Sequence, residues 1–217
     1  RGTLAAINNK CENLVELGEY ELAIEGFKET LRLAKQIGDK GSQIMALVNC
    51  AEVFINCGMF DEAEEYLILA EDTAIETRSE ILRAYVQIPL LRLYLLYKKN
   101  KEKATEIFGS LKENFIKLQN TDYLSYLVTS LAEAGIHLKE LNYTKSLLDM
   151  HQEILEKETN KKIKINYYTL LLTVNTLTHN KSMMRDNVKK LSEIKKEINK
   201  TPILTYYFEN LARYLFY

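Results

Sequence analysis

Apolar residues return every three to four positions along this chain and rarely alternate, which is the periodicity of helices with one buried face. The pattern predicts paired helices over about 3–17 and 20–37, 41–57 and 60–77, 80–98 and 101–119, 122–140 and 143–159, and 162–179 and 183–199. An eleventh begins at "TPILTYY", where Thr201 can cap and Pro202 suits the first turn. Asp39 or Ser42, Ser79, and Thr121 or Asp122 are further start signals. Pro89 falls inside "RAYVQIPLLRLYLLY" and predicts a kink or a lost helical bond there.

The pattern also repeats on a longer scale. "ELGEYELAIEGFKETL" (16–31) returns as "NCGMFDEAEEYLILAE" (56–71), with Gly, an aromatic, Ala and a large apolar residue at matching places. Ala23 is followed at steps of 40, 41 and 42 by Ala63, Ala104 and Ser146. Four residues after each stands Phe27, Leu67, Phe108 or Met150, and three before each stands Tyr20, Phe60, Lys101 or Tyr143. A small residue lets the second helix of a pair approach the first, and the bulky one a turn later fills the groove beside it. Gly18 and Gly58 can take the left-handed conformation that ends a helix, and Asn100 and Asn142 stand near the same place in the third and fourth repeats. Tyr85, Tyr126, Tyr168 and Tyr207 recur at steps of 41, 42 and 39, as an aromatic seam or a ligand platform would.

This Gly-x-aromatic-x-x-Ala-x-x-x-large pattern resembles the tetratricopeptide repeat, a helix-turn-helix unit. The resemblance covers nearly the whole chain: the first two repeats match well, the next two partly, and the fifth by spacing, with Asn187 where Ala is expected. It implies an all-α fold, a right-handed αα superhelix, or solenoid, of about five helical hairpins plus a terminal helix. The repeats fall at about 3–38, 41–78, 80–120, 122–160 and 162–200, with a partial one at 202–217, in one domain spanning 1–217. Periods of 40 to 42 exceed the usual 34, and "LRLAKQIGDKGSQ" looks like the longer-helix variety found in bacterial regulators. The chain begins without Met and stops inside the aromatic-rich "YYFENLARYLFY", so a fragment of a longer protein is expected, or a homodimer joined through this uncapped end.

Composition narrows the class. Apolar residues make up 47% and charged ones 27%, with 8 Gly and 2 Pro, a helix-friendly globular mixture. There is no apolar run long enough to span a membrane and no cleavable leader, so a soluble, cytoplasmic piece is expected. Cys11, Cys50 and Cys57 form no C-x-x-C pair and fall in apolar-periodic stretches, where Cys serves as a small hydrophobe. Charge is uneven: residues 1–80 carry 16 Asp and Glu against 7 Lys and Arg, and residues 81–217 carry 14 against 22. Such a field can steer a charged partner.

No catalytic constellation stands out. His137, His151 and His179 lack metal-ligand spacing, no Gly-rich phosphate loop or nucleophile elbow is present, and neither cofactor nor metal is expected. Stacked hairpins instead offer a concave surface lined by the first helix of each pair. There Asn9 and Asn49 recur 40 apart, as do Glu12 and Glu52, with Asn56 on the same helix. In proteins of the family inner-helix Asn residues bind peptide backbones, and the resemblance implies that role for Asn9 and Asn49; the alternative is that they satisfy carbonyls within the stack. Glu12 and Glu52 would favour a basic or amino-terminal group, and Leu93, Leu96 and Tyr97, with Arg92, would form an apolar pocket beside the Asn pair.

The expected function is a protein- or peptide-binding module and not an enzyme, the sensor or docking arm of a bacterial signalling or transcription-regulatory protein. A structural scaffold forming oligomers through its convex or end surfaces is the alternative. Nucleic-acid binding ranks below both, because no basic ladder accompanies the tyrosines.

Overall fold

The structure, a computed structural model, describes residues 2–118 and 123–196, apart from the side chains of Thr3 and Ile116. The eleventh helix expected at "TPILTYY", with Tyr207, lies outside them, as do Thr121 and Asp122. The chain groups into two compact units, Arg1–Leu118 and Gln119–Tyr217. The first contains α1 (Gly2–Leu17), α2 (Tyr20–Gln36), α3 (Lys40–Asn56), α4 (Phe60–Thr77), α5 (Glu80–Arg92), a π-helical turn (Leu93–Tyr97) and α6 (Lys101–Leu118). The second contains α7 (Leu124–His137), α8 (Leu141–Met150), α9 (Gln152–Lys157), α10 (Lys161–Leu177) and α11 (Lys181–Lys196). Within each unit successive helices pack in pairs, and no strand occurs among the described residues.

Every hairpin closes the same way. Gly18, Gly58, Lys99, Lys139 and His179 take left-handed φ angles of 81, 76, 53, 64 and 57°. Gly38 and Arg78 do the same between pairs, at 70 and 54°. At four of the five hairpins the next amide folds back onto the carbonyl five residues earlier, as Glu19 N does to Leu14 O at 2.9 Å, Met59 N to Phe54 O at 2.8 Å and Glu140 N to Gly135 O at 2.7 Å; after Lys99 it reaches six back. The two glycines were expected in this role. Asn100 and Asn142 are not left-handed; Lys99 and Lys139 are, because the closing bonds fix the position of the reversal whatever residue occupies it. Asn100 instead caps α6, its Oδ1 accepting from Lys103 N at 3.1 Å.

Counted from these reversals, the buried stripe of the second helix falls at the fifth, ninth, twelfth and sixteenth residues. Those are Ala23, Phe27, Thr30 and Ala34 in α2, Ala63, Leu67, Ala70 and Ala74 in α4, and Ala104, Phe108, Leu111 and Phe115 in α6. In the second unit they are Thr144, Leu148, His151 and Leu155. The small residue of the fourth repeat is therefore Thr144 and its groove-filler Leu148, not Ser146 and Met150, which are exposed. Thr144 escaped notice because it is bulkier and β-branched, with a smaller residue, Ser146, two places on; its hydroxyl donates to Glu140 O at 3.0 Å and can then be enclosed like Ala. Burying a side chain such as Phe27 or Leu67 stabilises by roughly 1.5–3 kcal/mol each. Asp39 and Ser79 act as the expected caps, accepting from Ser42 N at 3.1 Å and Leu82 N at 3.3 Å. Cys11 and Cys50 are buried as small hydrophobes, whereas Cys57, next to the reversal at Gly58, is exposed.

The reversals step by 40, 41, 40 and 40 residues. The additional residue lies between Arg78 and Lys99, within α5 and the π-helical turn. The helix runs on through Pro89, and four residues later it widens: Lys98 N donates to Leu93 O at 2.9 Å and Asn100 N reaches back six residues to Tyr94 O at 2.9 Å. A π turn takes up one residue without breaking the helix, so the irregularity expected at Pro89 is found at Leu93–Tyr97 instead.

A polar knot holds this turn. Glu64 of α4 accepts from Tyr94 Oη at 2.6 Å and from Lys103 Nζ at 3.0 Å, and also from Lys98, whose ammonium reaches Asp61 at 2.6 Å. Burial works against ionising Glu64, but the bonds from Lys98, Tyr94 and Lys103 outweigh it and hold the carboxyl down at about 2.

Two tests follow from this packing. A β-carbon at Gly26 would run into Cys11 Sγ. Gly26→Ala, favoured by about 1 kcal/mol on helix propensity, is expected to lower stability in urea unfolding, because overpacking costs about 1–3 kcal/mol. Adding Cys11→Ala is expected to recover most of the loss; a single variant more stable than the parent contradicts the contact. For Glu64, a folded value below the ordinary 4.5 means stability that is present above 4.5 and lost as pH falls toward about 2. Glu64→Gln is expected to cost about 1–2 kcal/mol at pH 7 and almost nothing near pH 2, and equal urea midpoints at pH 7 would sink this account.

Candidate binding face of the first unit

The first helices α3 and α5 bury most of their residues, α1 buries Leu4, Asn8 and Cys11, and polar positions that they leave open repeat with the period. On α3 the residues buried between neighbours include Ile44, Leu47, Val48, Cys50, Ala51 and Phe54, and the open stripe is Met45, Asn49, Glu52 and Asn56. One period earlier stand Asn9 and Glu12 on α1, both exposed, and one period later Arg92 on α5, half-buried. The stripe exists because helix positions three and four apart share a face and polar residues there need no partner in the core.

Polar bonds link the first two helices. Asn49 Nδ2 donates to Asn8 Oδ1 at 2.9 Å, and Asn8 Nδ2 donates to Glu12 Oε1 at 2.7 Å. Asn49 is therefore tied to Asn8, 41 residues earlier, and not to Asn9. The doublet "INNK" offered both, and only Asn9 keeps the 40-residue step. Packed helices cross at an angle, so the side chain within reach is one position out of register. Asn8 is 6% exposed and was missed because it reads as part of the buried face.

Charge converges on one row. The nearest charges to Glu52 are Arg92 and Glu12, so Glu12, Glu52 and Arg92 share this face. Glu52 is open to solvent, yet protein atoms surround it closely. Loss of water pushes its carboxyl up, Arg92 pulls it down by less, and Glu12 raises it further. Leu93 does not belong to the accessible face: at 0% exposure it is core, and it can only support the face from beneath. Tyr97 is 37% exposed and stacks on Phe60, with ring centroids 4.8 Å apart and planes at 24°, so it marks the rim beside the turn. Asn56 is exposed. No group of three or more His, Cys, Asp or Glu able to hold a metal ion occurs among the described residues. None of the described helices is long and apolar enough to cross a membrane.

The raised carboxyl has a measurable consequence. A folded value above the unfolded one gives stability that is present below about 4.5 and lost as pH rises through the folded value. Glu52→Gln is expected to raise the melting temperature at pH 7 and to leave it unchanged at pH 4, where the carboxyl is protonated in both states. A variant less stable than the parent at pH 7 would show that Arg92 outweighs desolvation.

No protein-family model and no curated protein matches the sequence. Solved structures do. A putative kinesin light chain from Podosopora anserina with nearly identical TPR-like repeats aligns over 91% of this chain and 98% of its own, with a TM-score of 0.63 and 14% identity. A singly substituted form of that protein aligns over 90% and 95%, with a TM-score of 0.64 and 14% identity. Identity that low carries the arrangement of helices and nothing about ligand. With the periodic reversals, the enclosed small residues and these likenesses together, the chain is shown to have the tetratricopeptide-like helical-repeat fold.

Proposed function

We propose that this chain is a peptide-binding repeat module whose inner face, on α1, α3 and α5, takes an extended peptide carrying a basic or amino-terminal group. The helical-repeat fold supports a binding role, because stacked hairpins leave an extended surface on their first helices. The observation that supports the finer reading is the pair of exposed carboxylates, Glu12 and Glu52, on a stripe that packing leaves open. An ammonium or guanidinium placed there relieves the repulsion between the two acids. Asn49, with its amide nitrogen bonded to Asn8, is a pre-oriented amide on the same face, and Asn9 is an exposed one. Amides of this type hold peptide backbone regardless of peptide sequence.

The long second helices and the 40-residue period support a place as the sensor or docking arm of a bacterial signalling or regulatory protein. Each repeat touches only its neighbours, so a peptide bridging α1 and α3 would bias their relative setting.

Capture of partners from a lysate on the immobilised chain, followed by affinity measurement with the recovered peptide segment, tests the face. Asn9→Ala with Asn49→Ala is expected to weaken binding by at least about tenfold, the loss of one or two hydrogen bonds near charge. Glu12→Gln with Glu52→Gln is expected to weaken it further and to remove most of its salt dependence. Unchanged affinity in both folded double variants would overturn the reading.

A further inference from the structure

On its exposed side α4 differs from the other second helices of the first unit. Counted from the reversal, the tenth, eleventh and seventeenth residues of a second helix lie outside the buried stripe. In α2 they are Lys28, Glu29 and Lys35, and in α6 the tenth and eleventh are Gly109 and Ser110. In α4 they are Ile68, Leu69 and Ile75, 44, 46 and 53% exposed. Packing makes no demand on these slots, so the fold gives no reason for three large aliphatics in water along one helix.

The charges around them are of one sign. α4 contains seven acidic residues and no basic one. At 3.6 residues per turn Asp61, Glu65, Asp72 and Glu76 fall in one row along the exposed side, with Ile68 and Ile75 at one edge and Leu69 at the other. Asp61 is paired with Lys98 and Glu76 with Lys40, at the surface, where such pairs contribute little. Glu65 and Asp72 form no ion pair among the described residues. The corresponding side of α2 mixes its signs and pairs Arg32 with Glu29 at 2.7 Å.

The complement of this face is on the same chain. α11 contains six basic residues against two acids. Lys181, Arg185, Lys189 and Lys196 fall in one row on the side opposite the buried Asn187, Leu191 and Ile194, with Val188, 50% exposed, at its edge. Asp186 and Glu193 stand on the flank away from Val188. Lys189 lines a cleft with Asp149 and Glu156, so Lys181, Arg185 and Lys196 carry the uncompensated charge. Asp61 to Glu76 and Lys181 to Lys196 are each fifteen residues, about 22 Å along a helix. Lysine and arginine stems can cover aliphatic side chains while their charged heads reach the acids. A chain with a net charge of −1, acidic at one end and basic at the other, is not kept apart from its own copies by repulsion.

We propose that the exposed face of α4 docks the exposed face of α11 from a second copy of this chain. Glu65 and Asp72 oppose Lys181, Arg185 and Lys196, and Ile68 and Ile75 pack against Val188 and the stems of the basic side chains. The two faces differ, so the contact is heterologous. It does not rest on the inner-face reading, whose residues lie on α1, α3 and α5.

Sedimentation velocity of the full chain at about 0.02 M and about 0.5 M salt tests this, since the screening length falls from about 20 Å to about 4 Å. The parent is expected to self-associate at low salt and at least about tenfold more weakly at high salt. Glu65→Lys with Asp72→Lys, and separately Lys181→Glu with Arg185→Glu, change exposed residues and should melt as the parent does, while each weakens self-association at least about tenfold. An equimolar mixture of the two should associate again, because each variant keeps the face that the other has lost. Ile68→Ser with Ile75→Ser should weaken that rescue more when added to the α11 variant, which supplies the native α4 face, than when added to the α4 variant. A parent that stays monomeric at low salt would overturn the proposal and leave the α4 face to a different basic partner. Association insensitive to salt and to both charge variants would overturn it in favour of another surface, such as the aromatic-rich end. A mixture no more associated than its components would overturn it as well.

Discussion

The structure depends on a fixed distance between chain reversal and close contact. In the first four pairs the left-handed residue that closes the hairpin is followed five positions later by the first buried residue of the next helix, Ala23, Ala63, Ala104 or Thr144, all with no exposed surface. The reversal sets where the second helix starts and hence which of its residues meets the first helix. A small residue there lets the two axes approach, and the residues nine, twelve and sixteen places on then fall on the same face. Close packing leaves little tolerance in that interval. An additional residue upstream must be absorbed before the reversal, and the π-helical turn at Leu93–Tyr97 does so. Its looser backbone is held from outside by Glu64, which gathers Tyr94, Lys98 and Lys103. That explains how the third repeat keeps its geometry with Lys101 where an aromatic was expected.

How much of this was legible in the sequence follows from which residues packing dictates. The helix pairs, the reversals at Gly18 and Gly58 and the enclosed Ala23, Ala63 and Ala104 could be read directly, since a left-handed turn and a close approach leave few residue types to choose from. The fourth repeat was misaligned because its small slot is filled by the bulkier, β-branched Thr144 while a smaller residue, Ser146, stands two places on; Thr144 is enclosed with its hydroxyl on the Glu140 carbonyl. The reversals at Lys99 and Lys139 were hidden for a different reason. Closing bonds can hold a non-glycine residue at positive φ for about 1–2 kcal/mol, so residue identity there is a weak guide. The π turn left its trace as a step of 41 among steps of 40, which registers clearly only when counted between reversals.

The candidate face was less legible than the scaffold because no packing rule governs it. The 40-residue spacing found Glu12 and Glu52 together, since residues one period apart on stacked first helices stand side by side, and Arg92, expected beside them on the next first helix, is one further period on. It chose Asn9 over Asn8, because a sequence period takes no account of helix crossing, and it included Leu93, because an apolar residue on a first helix can face either the groove or the core. Nothing in the sequence marked Asn187 as unpaired. It stands eight residues after the reversal at His179, outside the buried stripe of the earlier pairs, and the place of their enclosed small residue is held by Met184, which is half-buried.

Glu52 and Asn187 are instances of one physical situation. Neither is required by packing: Glu52 is an exposed acid close to Glu12, and Asn187 is a buried amide whose nitrogen has no partner among the described residues. Neither serves the reversal, the enclosed stripe or the π turn, so the fold gives no reason for them. The exposed face of α4 is a third instance, since the slots of Ile68 and Ile75 hold Lys28 and Lys35 in α2. A residue that the scaffold does not ask for is free to serve a contact outside the chain. In the first unit the two faces left free in this way agree in charge. One presents Glu12 and Glu52, the other Glu65 and Asp72, and both suit a cation. They differ in what accompanies the acids: amides that can hold a backbone on the first helices, branched aliphatics on α4. The first arrangement suits an extended chain, whose backbone groups are open, and the second suits a folded helix, whose backbone is already bonded and which meets its partner through side chains.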